Sequence, residues 1–291
     1  MRSSGKLPLR KQLMLQAILL FITFIVLFPI MWIVSLSLDP RGISRPTELV
    51  LIPRGASLQA YKDILAQPTA NPVSFAKLTL NSLTLTGGVA LFALLVAITA
   101  AYTFSRKQFP GRKFLMLGII TVLMLPAIAT IAPLFVTLNQ VHMGDFNLRN
   151  SLWGVGLAMV AGALPFSIWN LKGYLDTIPK DLEEAAIIDG ASPNQVFFRI
   201  ILPLAVPALA VTFFIAFLGG WTEFALSWQF LTDPQDFTLA MALWNMTGQY
   251  AGSVPWSHFA AMSIMVALPV AVIYLALQKY IVGGLTIGSV K

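Results

Sequence analysis

The stretch EAAIIDGASPNQVFFRIILP, from Glu184 to Pro203, gathers Glu184, Asp189 and Arg199 in a chain where only 11% of residues are charged. Such residues serve proton transfer, ion pairing or the docking of another protein. Other chemistry has little to draw on. There are no cysteines, which removes disulfides, thiolate metal sites and a cysteine nucleophile. The two histidines, His142 and His258, are too far apart in sequence to suggest a histidine metal cluster. No G-x-x-x-x-G-K-[ST], G-x-S-x-G or H-E-x-x-H occurs, so the chain has no P-loop for ATP and no hydrolase signature. Ser74-Phe-Ala-Lys77 fits S-x-x-K but lacks the companion motifs that give that pattern meaning.

The elements that carry this stretch are membrane spans. Hydrophobic residues make up 57% of the chain and its mean hydropathy is +0.78, whereas soluble domains carry about a quarter charged residues. The reading is an all-α, polytopic membrane protein whose first partner is the lipid bilayer. Basic residues flank the apolar runs rather than forming a patch, which excludes a nucleic-acid partner despite the pI near 9.8. A spanning helix needs roughly 20 apolar residues, and six segments qualify: Leu13–Leu38, Leu78–Phe104, Phe114–Leu138, Ser151–Leu171, Leu204–Ser227 and Phe259–Gln278. Arg2, Lys6, Arg10 and Lys11 before the first span resemble the start of a signal peptide. The apolar run is too long for one and no small-x-small site follows, so it reads as a retained helix.

Six spans put both termini on one side, and basic residues choose the side. Arg2, Lys6, Arg10, Lys11, Arg106, Lys107, Arg112, Lys113, Lys172, Lys180, Arg199, Lys279 and Lys291 fall together, against Arg41, Arg45, Arg54, Lys62, Lys77 and Arg149. The richer side is assigned to the cytoplasm. The expected organisation is a cytoplasmic N-terminus over 1–12, a six-helix region over 13–283 and a cytoplasmic tail over 284–291. Extracytoplasmic loops fall at about 39–77, 139–150 and 228–258, and a cytoplasmic loop at about 172–203. Small residues line one face of two spans: Ala93, Ala97 and Ala101, then Gly154, Ala158 and Gly162. Such faces allow close helix approach, either within this chain or against a second membrane subunit. Pro126, Pro165, Pro207 and Pro269 interrupt spans and tend to kink them. Glu223 is the one carboxylate inside an apolar stretch. It is either solvated near the outer interface or part of a translocation path, and no titratable pair sits mid-membrane for a proton relay.

The opening stretch reads as an elbow. Pro179 suits a first helical turn, and Asp181 and Glu183 favour its positive end. A helix over Asp181–Asp189 then stops at Gly190, which fits the left-handed position past a helix end. Ser192-Pro193-Asn194-Gln195 starts a new helix, with serine as N-cap, proline at N1 and glutamine at N3. The small pair Ala185-Ala186 leaves a shallow surface. It packs either on another protein or on the chain's own membrane region.

This stretch resembles the EAA loop of the permease subunits of bacterial ABC importers: Glu184-Ala185-Ala186, Gly190, Ile200 and Leu202-Pro203 stand at the family's spacing. Asn81-Ser82, Ala101-Tyr102-Thr103-Phe104-Ser105-Arg106, Phe109-Pro110-Gly111 and the tail Gly284-Leu285-Thr286 with Gly288 resemble the sugar-importer branch, most closely MalG-type subunits of maltose and maltodextrin transporters. Gly283 departs from that branch, where a polar residue precedes the second glycine. The resemblance implies the type I ABC importer permease fold with cytoplasmic EAA coupling helices, in the inner membrane, carrying maltose or maltodextrin into the cytoplasm; the alternatives are the same importer class for another carbohydrate, such as trehalose, sucrose or glycerol phosphate, and a secondary transporter. It implies a second homologous permease as heterodimer partner, two ATPase subunits, and an extracytoplasmic sugar-binding protein. ATP and Mg2+ would belong to the ATPases, and this chain would bind no cofactor and would not itself be an enzyme. It further implies that Glu184, Ala185, Ala186, Gly190, Ile200, Leu202 and Pro203 couple to the ATPase. Gly284, Leu285, Thr286 and Gly288 would touch it through the tail. The aromatic loop with Trp244, Tyr250 and Trp256 inserts toward the binding protein or forms an interfacial aromatic belt. Asn81 and Glu223 are candidates to line the path.

Reporter fusions at Met1 and at Gly144 are expected to give opposite topology signals. Matching signals would overturn the six-span reading.

Overall fold

The computed structural model describes residues 8–42, 48–247 and 255–287. The chain divides into two units, one of residues 1–69 with 243–266 and the other of residues 70–242 with 267–291.

In the first unit, helix α1 (Leu9–Ser37) has 29 residues, about 43 Å at the usual rise, enough to cross a hydrocarbon layer of about 30 Å. It is apolar on all sides, and its most hydrophobic stretch has no buried residue, the pattern of a helix solvated by lipid or other membrane helices. Its polar end is pinned: Ser35 Oγ donates to the Val50 carbonyl at 2.6 Å and Ser37 Oγ meets Tyr61 Oη at 2.8 Å. Tyr61 lies on α2 (Gln59–Ala66), which buries Ala60 and Ile64.

The second unit is built on α3 (Phe75–Arg106), α6 (Leu152–Leu175) and α10 (Val206–Trp221). Ser74 and Ser151 cap α3 and α6, accepting from the amides of Lys77 and Gly154. The alanine face of α3 packs inside this unit, since Ala93, Ala97 and Ala101 are each fully buried. One apolar cluster joins Ala93 to Val155, Ala158 and Met241, and a second joins Ala97 and Ala101 to Leu171, Leu175 and Ile201. Helix α10 reaches α3 and α6 through Gly220, where an added Cβ would stand 2.9 Å from Met159 Cε and 3.1 Å from Thr86 Cγ2.

Two expected spans are bent. The segment expected over Phe114–Leu138 is α4 (Arg112–Val122), a 3-10 turn (Ala127–Thr130) and α5 (Ile131–Asn139), with a 99° bend across the break. Pro126 explains the stop, because its ring opposes the carbonyl four residues back, which is that of Val122. The segment expected over Leu204–Ser227 starts at a break: α8 (Pro193–Val196), a π turn (Phe197–Ile201) and α9 (Leu202–Leu204) come from the expected loop before it and meet α10 at a 71° bend. Here Pro207 opposes Pro203 in the same way. Pro165 and Pro269 are absorbed into continuous helices. Among the described residues four helices, α1, α3, α6 and α13 (Trp256–Ile287), are long and apolar enough to span alone, and the two bent pairs bring the number to six if each is one span.

Beyond α10 the chain folds back. Helix α11 (Ala225–Phe230) buries Ser227 and Phe230, and α12 (Leu239–Thr247) follows. The loop expected over about 228–258 therefore contains a helix, and Leu239, Met241, Ala242 and Met246 on it are buried. Helix α13 continues to Ile287, so Gly284, Leu285 and Thr286 lie on a helix rather than in a separate tail, and Gly288 lies outside the described residues. Among the described residues the one departure from an all-α fold is a short hairpin, β1 (His142–Met143) and β2 (Phe146–Asn147), turning at Gly144 with φ of 60°.

An added Cβ at Gly154 would sit 2.0 Å from the Leu148 carbonyl oxygen, while one at Gly162 on the same helix meets nothing within 4 Å. Gly154→Ala is expected to lose about 1–3 kcal/mol through forced backbone movement, and Gly162→Ala to be neutral or slightly stabilising. Thermal unfolding of the purified protein in detergent measures the contrast, and equal melting temperatures would contradict this packing.

Candidate functional site

The turn after α6 leads into α7 (Asp181–Ile188), whose first turn holds Asp181, Glu183 and Glu184, carboxylates at the positive end of the helix dipole. Lys180 is the N-cap, so Pro179 stands one residue before the cap rather than in the first turn. The helix ends with Gly190 at φ +88°. Its amide donates to the Ile187 carbonyl and that of Ala191 to the Ala186 carbonyl, the paired bonds of a Schellman ending. An added Cβ at Gly190 meets no atom within 4 Å, so only the left-handed backbone demands glycine there. Ser192 and Gln195 then form a reciprocal capping box with Pro193 at the start of α8. This elbow is the local geometry the residue pattern implies.

Its faces are chemically distinct. Glu184, Ala185, Gly190 and Pro203 are exposed, and Ala186, Ile200 and Leu202 are half-buried. Leu182, Ile187, Ile188 and Phe198 also project outward, Ile188 with 85% of its surface exposed. The sequence places Glu183 at the positive end of α7 but does not show it as an anchor: Val196 and Ile201 are buried in the apolar cluster with Ala97 and Leu171, and Glu183 is the one buried residue of α7. Glu183 pairs with Arg106 at the end of α3, with side-chain exposures of only 11% and 7%. Tyr102 Oη donates to the other oxygen of Glu183 at 3.0 Å. Arg106 also donates to Ser105 Oγ at 2.9 Å and to the Ile178 carbonyl at 3.0 Å. Ser105 Oγ in turn donates to Asp176 at 2.6 Å, and Lys172 Nζ reaches the same carboxylate at 2.5 Å. Burial acts to raise the Asp176 pKa, but the bonds from Lys172 and Ser105 outweigh it and hold the carboxyl below its ordinary value. Two adjacent glutamates on a helix that lies along the body of its unit were the available signal, since they cannot share a face.

The remaining candidates have separate places. Asn81 is buried, its amide donating to the carbonyls of Gln235 and Phe237 at 2.7 and 3.0 Å. Glu223 is not simply solvated: its carboxylate accepts from the Leu226 amide at 2.6 Å, the Ser227 amide at 3.1 Å and Ser227 Oγ at 2.7 Å. It thereby caps the first turn of α11. It also borders a largely apolar cavity of about 660 Å³ with Val89, Ile131, Ala158, Gly162 and Gly219 on its wall. Trp244 is 53% exposed on α12, Trp256 opens α13 with its ring 5.8 Å from that of Phe259, and Tyr250 lies outside the described residues. Among the described residues no group of three or more His, Cys, Asp or Glu could hold a metal ion.

The arrangement is a helix–glycine–helix elbow with an exposed charged and apolar face, carried by a unit of long apolar helices. Residues 93–286 match the family of binding-protein-dependent transport system inner membrane components. The galactooligosaccharide transport permease GanQ of Bacillus subtilis is 34% identical over 94% of this chain and 93% of its own. The trehalose/maltose transport permease MalG of Thermococcus litoralis is 34% identical over 96% of each chain. The fold matches a subunit of a bacterial ABC transporter that imports alginate, with a TM-score of 0.76 over 96% of this chain and all of that one, at 22% identity. The chain therefore belongs to the family of inner membrane components of binding-protein-dependent transport systems.

Proposed function

We propose that this chain is a permease subunit of an ATP-driven sugar importer, and that the elbow is where an ATPase subunit docks. The observation that carries this is the elbow itself: a helix–glycine–helix turn that presents Glu184 and a fringe of exposed isoleucine, leucine and phenylalanine while its other face is fixed to the unit. Exposed apolar groups around a charge mark a protein contact. The two curated relatives carry galactooligosaccharides, trehalose or maltose by name, which points to an oligosaccharide of the maltose class. In this reading the chain pairs with a second homologous permease, and an extracytoplasmic binding protein delivers the sugar. ATP and Mg2+ sit in two ATPase subunits, consistent with the missing P-loop. Both termini and the elbow face the cytoplasm. Gly284, Leu285, Thr286 and Gly288 add a second ATPase contact, and Trp244 with Tyr250 and Trp256 faces the binding protein. Glu223 borders the path only through the cavity that it flanks.

Two substitutions test the dock. Glu184→Lys reverses the exposed charge, and like charges across a contact cost several kcal/mol, so uptake and the ATPase retained on the membrane are expected to fall by about tenfold or more. Gly190→Ala strains the left-handed turn by about 1 kcal/mol or more. The protein is expected to insert normally, with α8 tilted and docking weakened. ATPase co-purification and uptake into vesicles measure both, and normal values for both variants would make the elbow a plain connector. Trp244→Ala tests the binding-protein contact: uptake is expected to drop while the membrane complex stays assembled, and unchanged uptake would leave Trp244 as an interfacial aromatic.

A further inference from the structure

Helix α7 is held in an unusual way. Its one buried side chain is Glu183, whereas short surface helices are ordinarily seated by apolar residues. The exposed neighbour Glu184 and the buried Glu183 are consecutive, so the rotation of α7 decides which carboxylate faces out. A guanidinium with its fixed fork of donors sets that rotation more sharply than an apolar contact does. Arg106 supplies the fork, bonding Glu183, Ser105 and the Ile178 carbonyl, and Tyr102 completes the grip.

What Arg106 belongs to matters as much. Helix α3 has 32 residues, about 48 Å in length. Its polar ties to other elements lie at its two ends: Tyr102, Ser105 and Arg106 at one, and Asn81 and Ser82 at the other, where Asn81 bonds the Gln235 and Phe237 carbonyls and Ser82 Oγ accepts from the Leu239 amide. Between them the described side-chain hydrogen bonds of Thr84, Thr86 and Thr99 go to their own helix. The middle of α3 presents the smooth alanine face of Ala93 and Ala97.

We propose that the Arg106–Glu183 pair, with Tyr102, is a positioning strut that fixes the rotation of α7 and carries a displacement of the elbow into α3, which passes it to the segment around Gln235 to Leu239. This rests on the elbow being the ATPase dock. The strut is distinct from the dock: Glu184 meets the partner, and Glu183 transmits what the partner does.

The test uses the complete importer, purified and reconstituted with its ATPase subunits and binding protein. The double variant Arg106→Met/Glu183→Leu replaces the ion pair by apolar side chains of similar size, an exchange that buried ion pairs commonly tolerate without loss of stability. Expected are wild-type membrane levels and bound ATPase, with uptake of labelled maltose or trehalose, whichever the wild type imports, reduced roughly tenfold. Stimulation of ATP hydrolysis by the sugar-loaded binding protein is lost as well. Glu183→Gln, which keeps hydrogen-bonding capacity, is expected to fall between the double variant and the wild type. Uptake and stimulation at the wild-type level in the double variant overturn the proposal, because apolar seating would then suffice. Loss of bound ATPase from it also overturns the proposal, since the pair would then serve docking rather than transmission. If the double variant does not accumulate, Glu183→Gln decides alone, and wild-type coupling in it refutes the strut. Glu184→Lys, run alongside, reports on the dock alone: retained ATPase there refutes docking through Glu184 while the uptake and stimulation of the Glu183 variants still judge the strut.

Discussion

A backbone amide or carbonyl in an apolar medium must find a partner, and the irregular parts of this fold are arranged around that need. Where α10 ends and α11 begins, Glu223 takes the amides of Leu226 and Ser227. Where the chain turns back after α11, Asn81 and Ser82 serve Gln235, Phe237 and Leu239. The Phe230 carbonyl at the end of α11 receives Arg149, whose guanidinium also lies over the Phe135 ring at 4.8 Å. The Ile178 carbonyl beside the elbow receives Arg106. The scarce polar side chains thus sit where helices break. Their scarcity follows from the same rule, since a polar group without such a task is expensive in lipid.

The same constraint explains why Glu223 and Asn81 are poor choices as sugar ligands. A carboxylate already accepting three hydrogen bonds and an amide already donating two have reduced capacity for a hydroxyl, and the cavity beside Glu223 has walls of alanine, glycine and branched aliphatic residues. Sugar sites need aromatic faces and converging polar groups. The cavity has Phe166 and few polar neighbours.

Features set by neighbours in sequence were legible. Gly190, Ser192, Pro193 and Gln195 form the turn and capping box that their order demands, because Schellman endings and capping boxes close within a few residues. Pro126 and Pro207 were visible as breaks, but the 99° and 71° angles were not, since a proline marks where a helix yields and packing decides how far. Helix α12 does not stand out in the sequence, because its nine residues are too few for a span, and a buried face of Leu239, Met241 and Met246 looks in sequence like any apolar stretch. The Arg106–Glu183 pair was illegible for a different reason: its partners are distant in sequence, and neither residue shows its orientation until α3 and α7 are packed.

That pair also clarifies what an elbow must do to transmit force. A surface helix resting on apolar contacts can roll or slide at small expense, because such contacts are non-directional. A push on it would then be absorbed locally. An ion pair buried at one point and anchored by a tyrosine, a serine and a backbone carbonyl resists rotation, since turning α7 would strand two charges away from water. The outward face of α7 is free to be shaped for a partner because the inward face is held by Glu183 and the half-buried Ala186. In the proposed reading, two consecutive glutamates divide the labour of one short helix, the exposed one for recognition and the buried one for mechanics.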